Sequence, residues 1–391
     1  MKKEKCKADR CRLNKVGGQA VLEGVMMKAG DRTVTSCRKD DGSIVVNDAT
    51  FVSLKKKNKF FNIPIIRGVV GFVESLVLSI RTLNASAEVL GLDEPDEKAK
   101  AKREKKIAEG KLDPNKQESH AVTNAVMVIA TILGLVLSVV LFMYLPSLAA
   151  DGINWLFINP FKVGPLGDIW LAVIEGAMKV IIFITYLWLV SLMPDIRRTF
   201  QYHGAEHKSI ACFESGEELT PENARKHRRF HPRCGTSFMF LMIVIGIFIG
   251  MFVRFILPDG VHAIIIALVK LALLPITMGV GYEILMLAGR FDNVFTRIIS
   301  APGLWVQRIT TKEPDDSQLE IAITSIKCAL RDEFDEFREF YESRGWEKKD
   351  ESDNKTSADA EVMSDAEAAT DKKTVSDGEI STEDGGEEAK E

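Results

Sequence analysis

Between His203 and Cys234 the chain gathers side chains able to hold a metal ion. The segment TFQYHGAEHKSIACFE places His203 and His207 four residues apart, with Glu206 beside the second. On a helix, positions i and i+4 share a face, so both imidazoles reach one metal while Glu206 stands next to them as an acid–base group. The order HxxEH is that of inverse zinc-hydrolase motifs. Glu214 follows His203 by eleven residues and returns to within about 20° of the same face at ~3.6 residues per turn. It reads as a third ligand or as a group that orients one. Downstream, HPRCG adds His231 and Cys234 at ligand spacing. Two metal readings compete. Four protein ligands would close a tetrahedral, structural site; three would leave a position for water, with Glu206 as its base. The donor set suits a divalent cation, zinc above all. A competing reading has these histidines touch lipid phosphates together with the neighbouring lysines and arginines. His227 reads as part of the solvated run ARKHRR, and Cys212 as a buried thiol.

The elements that must position this loop are apolar. A helix crossing a ~30 Å hydrocarbon core needs about 20 apolar residues, and four segments qualify: 122–145, 169–193, 237–257 and 262–287. The flanking charges set a direction. Residues 1–120 hold 25 Lys and Arg, the loop 146–168 only Lys162, and the loop 194–236 eight. Both termini and the histidine-bearing loop are therefore expected on the cytosolic side. Within the spans, Glu175 and Lys179 sit at i,i+4 and Lys270 shares the fourth segment with Glu283. Such charges should face one another or a wet cavity.

These features divide the chain into a cytosolic β-rich module (1–60), an amphipathic or interfacial helix (61–92), a charged linker (93–120), spans 1 and 2 (121–193), the His/Cys-rich loop (194–236), spans 3 and 4 (237–290), a cytosolic helical segment with an amphipathic helix near 317–341 (291–346), and an acidic tail (347–391). The β-rich module rests on alternating strands around the turn Asp40-Asp41-Gly42. Gly17-Gly18-Gln19 lacks the spacing of a phosphate loop and reads as tight backbone packing.

The 391 residues carry 46% hydrophobic and 27% charged side chains at a net charge of −4. The tail holds 16 acidic against 6 basic residues, a net of −10, which leaves the first 346 residues at +6. The tail cannot bury enough surface to fold and is expected to be disordered. The first fifteen residues are cationic without an apolar core, so no cleavable signal is expected. The six cysteines fall in segments placed on the cytosolic side and read as free thiols or ligands.

Several blocks in one order, GGQAVLEGVMMK, RGVVGFVESLVLSIRTLNASAE, YHGAEHKSIACFE, ENAR, HPRCGTSF and APGLWVQRITTKEPDDSQLEIAI, resemble the YqhQ-like family across 14–344. The resemblance implies a multi-pass protein of the bacterial cytoplasmic membrane, catalogued as a domain of unknown function and loosely as a metal-dependent enzyme. It brings no reaction or substrate. The ligand candidates it implies are the same His203, Glu206, His207, Glu214, His231 and Cys234.

The expectation is a mainly α, polytopic membrane protein of about four transmembrane helices, with a small β-rich N-terminal module and a disordered acidic tail. Its loop would bind a divalent metal, Zn2+ before others, and hydrolyse a peptide or lipid-linked substrate at the cytosolic membrane face. A scaffold stapled by a structural metal is the rival reading. A small transporter using Glu175, Lys179, Lys270 and Glu283 is a third. The lipid bilayer is the expected partner, and nothing in the pattern points to nucleic acid.

Overall fold

A computed structural model describes residues 12–13, 15–91, 129, 132–134, 136–153, 155–156, 166–257, 261, 263–290 and 294–344. The chain divides into two units, Met1–Phe337 and Arg338–Glu391. The sheet, the apolar helices and the histidine cluster all belong to the first. The linker 93–120, much of the first apolar segment and the acidic tail lie outside the described residues, so the expectations placed there gain no structural counterpart.

The fold is mainly helical, with one small antiparallel sheet at the N-terminus. Strands β1 (Val16–Val21), β2 (Gly24–Ala29), β3 (Arg32–Arg38) and β4 (Ile44–Thr50) form a meander in the order β1-β2-β3-β4. Register follows from alternation: Gly18 pairs with Met27, and Thr35 with Asn47. The β3–β4 hairpin turns where the Asp-Gly pair predicts. Asp41 accepts from the Ser43 N–H, and Gly42 takes φ of 84°. The β1–β2 turn instead holds Glu23 at a φ of 48°. Its carboxylate grips Arg198 through two hydrogen bonds and accepts one from the Tyr202 hydroxyl at 3.2 Å, which offsets the strain.

Both faces of the sheet are covered. On one, Val21, Met26 and Cys37 pack against Leu78 of helix α1 (Ile66–Val89). On the other lies the helix Asp316–Ala329, whose Ser325 hydroxyl donates to the Val25 carbonyl at 2.9 Å. That helix starts at a capping box built by Asp315 and Gln318. Leu319, Ile321, Ala322, Ile326 and Cys328 on it are fully buried. It is therefore an amphipathic helix docked into the core, and it ends at Ala329; a separate helix, Asp335–Glu342, takes up the rest of the expected range.

The remaining helices in chain order are α2 (Leu145–Ile153), α3 (Leu166–Val190), α4 (Pro194–Glu214), α5 (Pro221–Lys226), α6 (Gly235–Ile256), α7 (Ala263–Ala272), α8 (Leu274–Arg290) and α9 (Val294–Thr310), followed by Asp316–Ala329, α10. Two segments are long and apolar enough to cross a membrane, Ala172–Val190 in α3 and Gly235–Val253 in α6. The expected fourth span is divided at Leu273 into α7 and α8. Pro275 explains the break, since it brings no N–H to the helical ladder and tolerates only a first-turn position.

The charges inside the apolar helices pair differently from their order in the chain. Lys270 reaches Glu175 at 3.3 Å, and Glu175 also accepts from Lys179 at 2.7 Å. Glu283 does not meet Lys270; it binds the Arg67 guanidinium of α1 in a two-pronged pair. Gly68 makes that approach possible, because a Cβ there would lie 2.8 Å from Tyr282 Cβ and 2.9 Å from Gly279 Cα. Helix α1 thus joins α8 at its start and the sheet further on, where Ser79 donates to Gln19 at 2.6 Å. Val73 and Ile80 stay exposed on its outer side.

Candidate metal centre

Helix α4 carries the HxxEH segment. Pro194 at its first position is preorganised for helix, and Gly216, at φ of 78°, follows its end. The four-residue spacing puts the rings of His203 and His207 4.4 Å apart between centroids. Gly204 between them is a packing requirement: a Cβ there would overlap the Lys312 carbonyl oxygen, where the chain leaving α9 crosses α4. The crossing is held by the Lys312 N–H, which donates to the Phe200 carbonyl at 2.8 Å.

Each imidazole is oriented by a backbone carbonyl. His203 Nδ1 lies 2.8 Å from the Thr310 oxygen and His207 Nδ1 2.6 Å from the Arg229 oxygen. A carbonyl only accepts, so both Nδ1 atoms carry hydrogen, and it is Nε2 of each ring that faces the centre, as a donor when the ring is protonated and as a lone pair when it is neutral. His203 Nε2 is 3.1 Å from Cys234 Sγ, which also takes a hydrogen bond from His207. Cys234 is the N-cap residue of α6, so the positive end of that helix faces its sulfur. The ligand atoms of His203, His207 and Cys234 all lie within 4.8 Å of one another.

Glu206, one turn on from His203 and within electrostatic reach of both imidazoles, lays its side chain against the β1 edge. It accepts the Ala20 N–H, and a Cβ on Gly18 would sit 2.8 Å from its Cγ and Oε1. Its second oxygen, Oε2, is buried without a hydrogen-bond partner among the described residues. A buried carboxylate oxygen left unpaired costs about 1–3 kcal/mol or more. A proton or a ligand at the site removes that cost.

Solvent is largely excluded: Glu206, His207 and Cys234 expose 5%, 2% and 9% of their surface. Burial pushes the Glu206 carboxyl above its ordinary value, and the nearby imidazoles only partly offset this. Burial also opposes charge on His203, but the Cys234 sulfur at its Nε2 prevails and raises it to about 9. The Cys234 thiol moves well down: burial resists, and the two imidazoles overcome it. The electrostatics are those of a thiolate held by imidazoles, the form in which cysteine binds metal.

The two other sequence candidates stand at the rim. His231 has its ring centroid 5.6 Å from that of His207, with Nε2 turned to Arg233 at 3.2 Å and Glu214 at 3.7 Å. Burial lowers its pKa. Its backbone is fixed by Gln307, which accepts from the His231 N–H at 2.8 Å and donates to its carbonyl at 2.7 Å. Glu214 is paired with Arg233 and lies outside the three-ligand group. A separate trio, Cys212, Glu217 and His227, also lies within 4.8 Å. There burial raises the Cys212 thiol to about 11, and that thiol donates to the Glu218 carbonyl.

Two nitrogens and a thiolate, preset by carbonyls and beside an orphaned carboxylate oxygen, fit a tetrahedral divalent ion such as zinc. Spacing alone could not locate Thr310 and Arg229, because a carbonyl partner leaves no mark in side-chain identity. Gly18 reads in the sequence as tight packing, which the structure bears out, but its partner Glu206 leaves no mark there.

A model for a protein family of unknown function, DUF1385, matches residues 63–332. The uncharacterized protein YqhQ of Bacillus subtilis (strain 168) is 33% identical over 317 residues, covering 81% of this chain and 92% of its own. No solved structure matches significantly.

Proposed function

We propose, from the premise that the chain belongs to the DUF1385 family, that it is a metal-dependent hydrolase of the cytoplasmic membrane acting at the cytosolic face. The observation that carries the reading is the pair of imidazoles fixed through Nδ1 by the Thr310 and Arg229 carbonyls, with Nε2 of His203 against the Cys234 sulfur. His203, His207 and Cys234 would hold a zinc-type ion, with His231 and Glu214 at its rim. Such an ion, when bound, supplies Lewis acidity and brings the pKa of water close to 7. Glu206, whose carboxyl burial pushes above its ordinary value, is the group placed to accept and return a proton. The backbone of β1 and the side chains around it keep bulk water out.

The membrane placement rests on two membrane-length helices and on the Lys and Arg of residues 1–120 and 194–236. In this reading α7 and α8 form a further, broken crossing and the 122–145 segment a fourth. Helix α1 lies at the interface with Val73 and Ile80 outward.

Metal content by mass spectrometry on the full chain in detergent, prepared without chelators, tests the proposal. About one zinc per chain is expected in the wild type and none in the His203→Ala/His207→Ala double variant. A metal-free wild type would sink the hydrolase. Retention of both metal and cellular phenotype in Glu206→Gln would favour a scaffold with a structural ion instead.

A further inference from the structure

Beside the metal centre, where Pro232 and Ser237 flank Cys234 at the start of α6, a cavity of about 170 Å3 opens between α6, α8 and α9. Its walls are apolar: Pro232, Leu241, Val244, Leu285, Ile298 and Gly303 among them. Of its two serines, Ser237 is already engaged by the Gln307 side chain at 2.8 Å. That same Gln307 holds the His231 backbone, so the cavity and the rim of the metal centre share a hydrogen-bonded wall.

The size and chemistry select an occupant. An engineered apolar cavity of about 150 Å3 stays dry and holds benzene, so this one takes a stretch of about six carbons and little water. No charged side chain lines it to satisfy a polar ligand. Outside it, Leu241 and Val244 continue on the same face of α6 into Phe248 and Phe252, which are 65% and 62% exposed. At ~1.5 Å per residue the stripe from Val244 to Phe252 runs on the order of 12 Å, room for the carbons of a fatty chain that lie outside the cavity. It lies on a helix of membrane length.

We infer that the cavity holds the acyl chain of a lipid substrate, which enters sideways from the bilayer and brings its polar end to the metal centre. The inference rests on the hydrolase reading and narrows its substrate class to acyl-chain amphiphiles.

A photoactivatable palmitate analogue, added to the full chain in detergent and mapped by peptide mass spectrometry, tests it. Labelling is expected to concentrate on residues 237–252 and 298–303, to fall at least about fivefold in Leu241→Trp and Val244→Phe, and to be competed away by unlabelled palmitate on the wild type. That factor corresponds to about 1 kcal/mol. The competition arm needs no variant, so a misfolded substitution does not leave the matter open. Labelling spread evenly over α3 and α6, labelling that palmitate does not compete, or protection of the cavity by a second copy of the chain would overturn the inference. Zinc is measured on the same samples. Metal without focused labelling removes the lipid chain and leaves the metal centre; focused labelling without metal removes the hydrolase, and with it the substrate role.

Discussion

Gly18 and Glu206, 188 positions apart in the chain, touch so closely that a methyl group on the glycine would stand 2.8 Å from two atoms of the carboxylate side chain. Gly17, its neighbour, would meet nothing within 4 Å. Gly18→Ala is therefore expected to lower stability by about 1–3 kcal/mol, the usual cost of overpacking. Gly17→Ala should stay within about 0.5 kcal/mol. Thermal midpoints of the two variants check this, and equal midpoints would remove the contact.

Gly204 permits the crossing of α4 by the chain leaving α9. Because the obstacle to a Cβ is the Lys312 carbonyl and not a flexible side chain, Gly204→Ala should cost about 3 kcal/mol or more. Protease cleavage near residues 310–315 should rise with it. A variant as stable and as resistant as the wild type would mean that the crossing has room for a methyl group.

The ligand set is tested by separating its members. Cys234→Ser should bind zinc at least about tenfold more weakly, since a thiolate donor is lost. Glu214→Gln should keep close to one equivalent, because that carboxylate serves Arg233 and His231. Zinc lost from Glu214→Gln and kept in Cys234→Ser would reverse the assignment.

Proton linkage gives a signed prediction for protein stripped of metal. The His203 pKa is raised from 6.5 to about 9, so by itself it contributes stability in full below 6.5 and loses it as pH climbs to 9. Cys234 is depressed from 9.0, so its contribution is full above 9 and is lost as pH falls through the folded value. Between 6.5 and 9 the folded imidazolium–thiolate pair and the unfolded neutral pair bind equal numbers of protons, and their slopes cancel. Below 6.5, and above the folded value of Cys234, the unfolded pair binds one more, so stability should rise with pH by up to about 1.4 kcal/mol per unit and then level off. Glu206, raised by burial, slopes the other way in wild type and variant alike. The measured quantity is therefore the unfolding free energy of wild type minus that of the double variant His203→Gln/Cys234→Ser, which lacks both members of the pair, from pH 5 to 9. A difference that is flat across the acid range contradicts the pair.

Much of this was legible in the chain. The i,i+4 histidines, HPRC at ligand spacing and the Asp-Gly hairpin are local patterns, and local patterns survive folding. What escaped was non-local or backbone-borne. Glu283 pairs with Arg67 and not with Lys270 because α1 packs on α8 through Gly68 and Gly279, and no periodicity within the fourth apolar segment encodes that neighbour. The break at Leu273 was signalled by Pro275, yet hydropathy averaged over the window conceals one proline. Helix α10 is readable as an amphipathic helix that docks, but its pattern does not name the sheet and α4 as the surfaces that cover it. Glu214 matches the helical angle of a ligand, but Arg233, on the same loop as Cys234, takes its carboxylate first.

The carbonyl that aims His203 belongs to Thr310, and the N–H that Glu206 accepts belongs to Ala20. The residues of the centre are thus drawn from nearly the whole span between those positions. At ~5–20 residues per second, a ribosome that has just made β1 needs on the order of 15–60 s to reach Thr310. Throughout that interval the nascent chain has its first strand and then its histidines, but nothing to hold His203 in register, and, if the trio binds a metal as proposed, two loosely held imidazoles and a thiolate would discriminate poorly between ions. Selectivity for the proposed ion would then be decided when the end of α9 arrives.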